Sequence, residues 1–272
     1  MHRHRDDELD GTAPAPDDDE PVLSAETSSV LGKVRLLLEA FDVDRDLMSL
    51  AELSRATGLA KATVHRLAGE MVEWGILERS GVRYQLGLRI FEIGQRVAQQ
   101  RILRDAARPF MERLMQSTGE AVHLAVRDGL DVMYVEKLSP NELVARPSRI
   151  AGRLPLHCTA TGKVLLAHAD SAVFESVVER GLARLTRATI TSPQRLLLEV
   201  QGVRARGHAV EQEELRYGYV SVAVPVHGAG RSVVAALSVT ATSGRADVNR
   251  YSSLLKQVGA SISTNLERSE FG

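Results

Sequence analysis

Between Ser49 and Leu86 the chain spells out helix, abrupt stop, helix and hairpin with almost no residues to spare, and few folds satisfy that text. Ser49-Leu50-Ala51-Glu52 is a capping box: the Ser49 hydroxyl accepts the Glu52 backbone N–H while the Glu52 carboxylate reaches back, which starts a helix at that point. Leu50, Leu53 and Ala56 are expected to face inward, and Gly58 supplies the left-handed residue that ends the helix. A third helix is then expected from about Lys61 to Trp74, burying Val64, Leu67, Ala68, Met71 and Trp74. The string GILERSGVRYQLG follows as a hairpin, with Ser80-Gly81 at its turn and Leu77, Arg79, Tyr84 and Leu86 alternating on its arms. Upstream, Leu31, Val34, Leu37, Leu38 and Phe41 recur at helical spacing, giving a first helix from about Ser28 to Phe41 before a polar loop at Asp42 to Asp46.

Three short helices and a hairpin make a winged helix-turn-helix, although the same elements can also serve only as a packing unit. The polar first turns of the third helix separate the two readings. Lys61, Ala62, Thr63, His65 and Arg66 lie there away from the apolar stripe, and a helix entering a DNA major groove needs such side chains for phosphates and base edges. Ser49, Arg79 and Arg83 complete the candidate DNA-binding set.

The chain's 272 residues suffice for two domains. Its formal net charge of −1 hides an asymmetry: residues 1–27 carry −7 and the remainder +6. We expect 1–27 to be a disordered acidic tail, 28–87 the winged helix-turn-helix, 88–118 a linker helix and 119–272 a second domain. Over 88–118 Ile90, Phe91, Ile93, Val97, Ile102 and Leu103 form a long apolar stripe suited to pairing with a second copy, and Pro109 is expected to interrupt or restart the helix. From Gly119 the text turns to strands, AVHLAV, VMYVEKL, VSVAVPV and VVAALSVTA, interleaved with helices near 160–181, 193–206 and 247–268; the fold class is therefore α+β. No apolar run is long enough to span a membrane, the charged start is unlike a signal peptide, and the one cysteine, Cys158, suits neither a disulfide framework nor a metal site. A cytoplasmic protein is expected, with no metal and no cofactor.

Three strings resemble one family. GLAKATVHRLAGEMVEWGILERSGVRYQLGLRIFEIG resembles the helix-turn-helix, wing and linker start of IclR-type transcriptional regulators; GRLPLHCTATGKVLLA resembles that family's effector-domain signature; EQEELRYGYVSVAVPVHGAGRSVVAALSVTA is similar to its closing hairpin region. The resemblance covers nearly all of 28–268 and implies a GAF-like effector-binding domain, a double-stranded DNA operator, a small-molecule effector and a homodimer or a tetramer built as a dimer of dimers. It further implies that Leu154, Ala160, Thr161, Gly162, Glu211, Tyr219, Ser221, Ser238 and Thr240 approach the effector. Ala60 and Ala62 stand where the family usually has Pro and Ser, so a hydroxyl contact at position 62 does not carry over.

The residues themselves support a ligand site. In LPLHCTATGK a strand meets a helix start, where Thr159 or Thr161 can cap, the N–H groups of Thr161, Gly162 and Lys163 are expected to face an anionic ligand, and Gly162 is expected to let it approach. These residues can equally serve as a plain helix cap. In SVAVPV, Ser221, Ala223 and Pro225 share the face opposite Val222, Val224 and Val226, and Ser238 and Thr240 alternate with Leu237 and Val239. Small polar residues on one face of an apolar strand fit a partly polar cavity for a small organic or aromatic acid. An ionised Glu211 would repel the acid's carboxylate, so it is expected at a hydroxyl or carbonyl end. Enzymatic readings fare worse. Adjacent strand residues such as His157 and Cys158 point apart and cannot form a nucleophile and base, TATGKV lacks the spacing of a phosphate loop, and no HExxH or paired Cys supports metal catalysis. No catalytic residue is assigned.

Overall fold

The computed structural model describes residues 29–42, 45–140 and 152–270. The acidic segment 1–27 lies outside them. The chain divides into two compact units, residues 1–96 and 97–272.

In the first unit, helix α1 (Val30–Glu39) starts at Ser29, whose hydroxyl accepts the Gly32 N–H at 2.9 Å. Strand β1 (Met48–Ser49) runs into α2 (Leu50–Thr57), and α3 (Lys61–Glu73) follows after a turn at Gly58. Strands β2 (Leu77–Ser80) and β3 (Arg83–Leu86) form the hairpin, and β1 adds to β3 with Met48 opposite Tyr84, making a three-stranded sheet. That short third strand was not legible beside the capping box that overlaps it. Leu37, Leu53, Leu59, Val64, Leu67, Met71, Leu77 and Tyr84 form the core. Ala56 is exposed rather than inward, and Trp74 is 74% exposed because the helix has ended at Glu73 and Gly75, with φ of +72°, turns the chain away.

Residues 88–118 form two helices rather than one. Helix α4 (Leu88–Gly94) belongs to the first unit, with Leu88, Phe91 and Ile93 exposed. Helix α5 (Ala98–Thr118) belongs to the second and buries Leu103, Ala106, Ala107, Met111 and Leu114 in its core. The break falls at 95–97, and Pro109 sits inside α5 without ending it. An interior proline costs a helix about 3 kcal/mol. Each large apolar side chain buried on the opposite face returns roughly 1.5–3 kcal/mol, while Pro109 and Asp105, whose carbonyl loses its partner, face water.

The second unit is an antiparallel sheet in the order β6-β5-β4-β9-β8-β7. Its strands are β4 (Ala121–Asp128), β5 (Asp131–Leu138), β6 (Arg153–Pro155), β7 (Ala209–Gln212), β8 (Tyr219–His227) and β9 (Val233–Thr242). One face presents Val222, Val224, Val226, Leu237 and Val239 to α5 and to the last helix, α9 (Val248–Glu270). The other presents small residues, Ala125, Ala223 and Ala236, to α6 (Ala160–Ala167), α7 (Ser171–Arg180) and α8 (Pro193–Arg206). Small side chains let backbone approach backbone, and all eight residues of α6 are buried. The helical text near 160–181 is therefore two helices, α6 and α7. Among the described residues no helix is long and apolar enough to cross a membrane.

Candidate functional site

The DNA-facing side of the first unit is built from its turn outward. Gly58 (φ +70°) reverses the chain after α2, the Ser54 hydroxyl donates to the Leu59 carbonyl at 2.6 Å, and the Leu59 N–H donates to Thr57 Oγ1 at 3.3 Å. This ties the angle between α2 and α3. No side chain caps α3, consistent with Ala60 at its N-cap. Lys61, Ala62, His65 and Arg66 are exposed and Thr63 half-buried on its early turns, opposite the buried Val64, Leu67 and Ala68. Arg66 rests on Glu70 at 2.6 Å in an exposed i,i+4 pair, a contact weak enough for a phosphate or guanine to replace.

Ser49 and Arg83 turn out to be joined through a residue that the sequence reading used only as a cap. The capping box is present, with Ser49 N–H to Glu52 Oε2 at 2.7 Å and Glu52 N–H to Ser49 Oγ at 3.3 Å, and Arg83 Nη2 reaches both Glu52 oxygens at 2.9 and 2.8 Å. The Arg83 guanidinium and the Ser49 donors lower the Glu52 carboxyl from 4.5 to about 2. A lowered carboxylate stabilises above its unfolded value and loses that contribution as the proton binds, so the junction of β3 and α2 is expected to loosen between about pH 4.5 and pH 2. Nuclear magnetic resonance titration of Glu52 and Arg83 would show this, and a midpoint near 4.5 would contradict it. The tip of the wing is Gly81-Val82, since Ser80 pairs with Arg83; Arg79 stands against Tyr84, with a 3.2 Å bond to its hydroxyl. Arg45 and Arg55, unassigned from sequence, line with Arg83 and Glu52 a groove of about 690 Å³.

In the second unit, strand register assembles the polar residues. One rung across the sheet reads Glu211, Ser221, Thr240, Ala121; the next reads Ala223, Ser238, His123, Lys137. All belong to the face that α6 covers. The Ser221 and Thr240 hydroxyls lie 3.0 Å apart, and Glu211 Oε1 accepts the N–H groups of Glu214 (2.7 Å) and Leu215 (3.1 Å). Burial raises the Glu211 carboxyl to about 7 despite those donors. Tyr219 lies one rung further out, with the Arg216 guanidinium 5.3 Å from its ring. Leu154 is on the opposite edge strand, across β5, β4 and β9 from Ser221.

The start of α6 corrects two expectations. Thr159 is the cap, accepting the Gly162 N–H at 3.0 Å, and the Lys163 N–H makes an ordinary helical bond to the Thr159 carbonyl. The N–H groups of Gly162 and Lys163 are thus occupied within the protein. Gly162 is required by packing rather than by a ligand, because a Cβ there would stand 2.3 Å from the Leu156 carbonyl oxygen and 2.4 Å from Thr159 Oγ1. Lys163 is 1% exposed, paired with Glu214 and bonded to the Val210 carbonyl at 3.0 Å, which leaves nothing for a phosphate. His157 and Cys158 lie in a turn, not a strand; His157 bonds the Ala183 carbonyl at 3.0 Å and burial pushes the Cys158 thiol up to about 12, so neither is poised for nucleophilic chemistry. Among the described residues no group of three or more His, Cys, Asp and Glu side chains is placed to hold a metal.

Sequence reading missed Tyr134 and His123. The Tyr134 hydroxyl is 3.4 Å from Thr161 Oγ1 and its ring 5.2 Å from that of His123. Burial drives His123 down to about 3, so it is neutral, and Tyr134 up to about 12. The alternation in AVHLAV, which puts His123 opposite Val122 and Leu124, was the available signal.

A winged helix-turn-helix in one unit and a helix-covered sheet with a polar strip in the other define a DNA-binding regulator with a sensor-type domain. The description "IclR helix-turn-helix domain" matches residues 30–81 and "Bacterial transcriptional regulator IclR C-terminal" matches 95–264, and the chain belongs to the IclR family of transcriptional regulators. It is 30% identical over 236 residues to the HTH-type transcriptional regulator XynR of Escherichia coli, covering 85% of this chain and 94% of XynR. To the regulator KdgR of the same organism it is 35% identical over 216 residues, 78% of this chain and 81% of KdgR. An IclR homolog of Microbacterium hydrocarbonoxydans, solved in complex with 4-hydroxybenzoate, superposes with a TM-score of 0.84 at 34% identity, over 88% of this chain and all of that one.

Proposed function

We propose that this regulator reads its operator with the early turns of α3 and the wing, through Lys61, Thr63, His65, Arg66 and Arg79, and that a small organic or aromatic acid bound in the second unit modulates that binding. Ser49 and Arg83 contribute through the Glu52 junction that fixes the wing. The carrying observation is the strip of Glu211, Ser221, Ser238 and Thr240 beneath a fully buried helix, on the sheet face that is otherwise lined with alanine. Polar groups in such a position suit a ligand of modest size better than a plain core. That a relative of 34% identity was solved with 4-hydroxybenzoate supports an aromatic acid. The exposed apolar residues Trp74, Leu88, Phe91 and Ile93 support pairing with a second copy, as a dimer or a dimer of dimers, whose two recognition helices would meet half-sites roughly 10 bp or a multiple apart.

The test separates the two activities. Arg66→Ala is expected to weaken operator binding by about 1–3 kcal/mol with effector affinity unchanged. Ser221→Leu, which fills the strip with hydrocarbon, is expected to abolish the effector response while basal operator binding persists. Mobility shift with and without ligand reads both, and equal behaviour of the two variants would defeat the assignment.

A further inference from the structure

Resting on the aromatic-acid reading, we infer that Glu211 is the specificity-determining residue of the effector site: it takes a hydroxyl at the ligand's far end and excludes a second carboxylate from that position. Glu211 is anchored, since two backbone N–H groups hold Oε1, and it cannot swing away from what is placed beside it. Ser221 stands opposite it across β7 and β8, and the Ser221–Thr240 hydroxyl pair continues the same rung. The groups around Glu211 add no cation to neutralise a ligand carboxylate. From the loop after β7 comes a second carboxyl, Glu214; from the turn before α6, the Cys158 thiol; from β5, the Tyr134 hydroxyl. The nearby ammonium, Lys163 of α6, is paired with Glu214 and bonded to the Val210 carbonyl. A hydroxyl hydrogen can therefore be accepted at this end, whereas a carboxylate meets negative charge with no compensation.

The pH dependence follows with a definite sign. Burial holds the Glu211 carboxyl near 7, so below that value the site carries a neutral acid that tolerates a carboxylate by donating to it, and above it an anion that does not. Discrimination between a hydroxyl and a carboxylate should widen as pH rises from 6 to 8.

The experiment is calorimetric titration of the full chain with 4-hydroxybenzoate, benzoate and terephthalate, at pH 6 and pH 8, for the wild type and Glu211→Gln. The wild type at pH 8 is expected to prefer 4-hydroxybenzoate to each of the others by about tenfold or more, the scale of a hydrogen bond to a charged group. Its preference over terephthalate should shrink at pH 6. In Glu211→Gln, whose amide oxygen still accepts the two N–H groups, both preferences should collapse towards unity and lose their pH dependence. Terephthalate binding the wild type as tightly as 4-hydroxybenzoate at pH 8, or a ranking that Glu211→Gln leaves intact, would overturn the inference alone. Binding of none of the three acids to the wild type would overturn the aromatic-acid reading and this inference with it. The wild-type pH comparison decides the matter even if the variant does not fold.

Discussion

Gly162→Ala is expected to lower the stability of the second unit by roughly 3 kcal/mol, the combined scale of an overpacked contact and a lost helix cap. The added methyl has nowhere to go: it would overlap the Leu156 carbonyl and the Thr159 hydroxyl, and the latter is the group that caps α6. Relief requires moving either the turn at 156–159 or α6 itself, every residue of which is buried. Urea unfolding followed by circular dichroism should show an earlier midpoint. A midpoint equal to that of the wild type would mean that the turn yields cheaply, and that the glycine serves ligand approach after all.

Lys163→Met should cost as much or more, about 3–5 kcal/mol, because it strands Glu214 in the interior without its cation. The loss is expected to come from the orphaned charge rather than from the pair's own strength, since desolvation offsets most of what two buried ions gain from each other. Adding Glu214→Leu to Lys163→Met should therefore restore much of the midpoint. Failure of that second substitution to restore anything would point instead to the Lys163 bond with the Val210 carbonyl, which ties α6 to β7.

What the sequence disclosed and what it withheld divide along physical lines. Periodicity located α2, α3 and the hairpin because each is a local pattern with a local stop, Gly58 for α2 and Gly75 after α3. It misplaced Trp74, since a residue at helical spacing is buried only while the helix lasts. Pro109 misled for the converse reason: a local penalty was outweighed by packing along the far side of α5. In the second unit, alternation on β8 and β9 identified Ser221, Ser238 and Thr240 correctly as sharing a face, but not what lay across the rung. That His123 follows Ser238 and that Tyr134 reaches Thr161 depend on strand order, which no local pattern encodes. Lys163 and Gly162 looked like ligand residues because a helix start with a glycine and a lysine reads the same whether it meets an anion or the protein's own turn.

The long pairing of β8 with β9 assigns opposite duties to residues of opposite parity. On β8 the odd positions 219 and 221 face the polar strip while 220, 222, 224 and 226 lie in the hydrocarbon layer under α9; on β9 the parity is reversed. Recognition can therefore drift from one metabolite to another by changes at every second residue, with the opposite layer left untouched. The same arrangement punishes any single-residue insertion in these strands, which would exchange the two inventories along the rest of the strand at once.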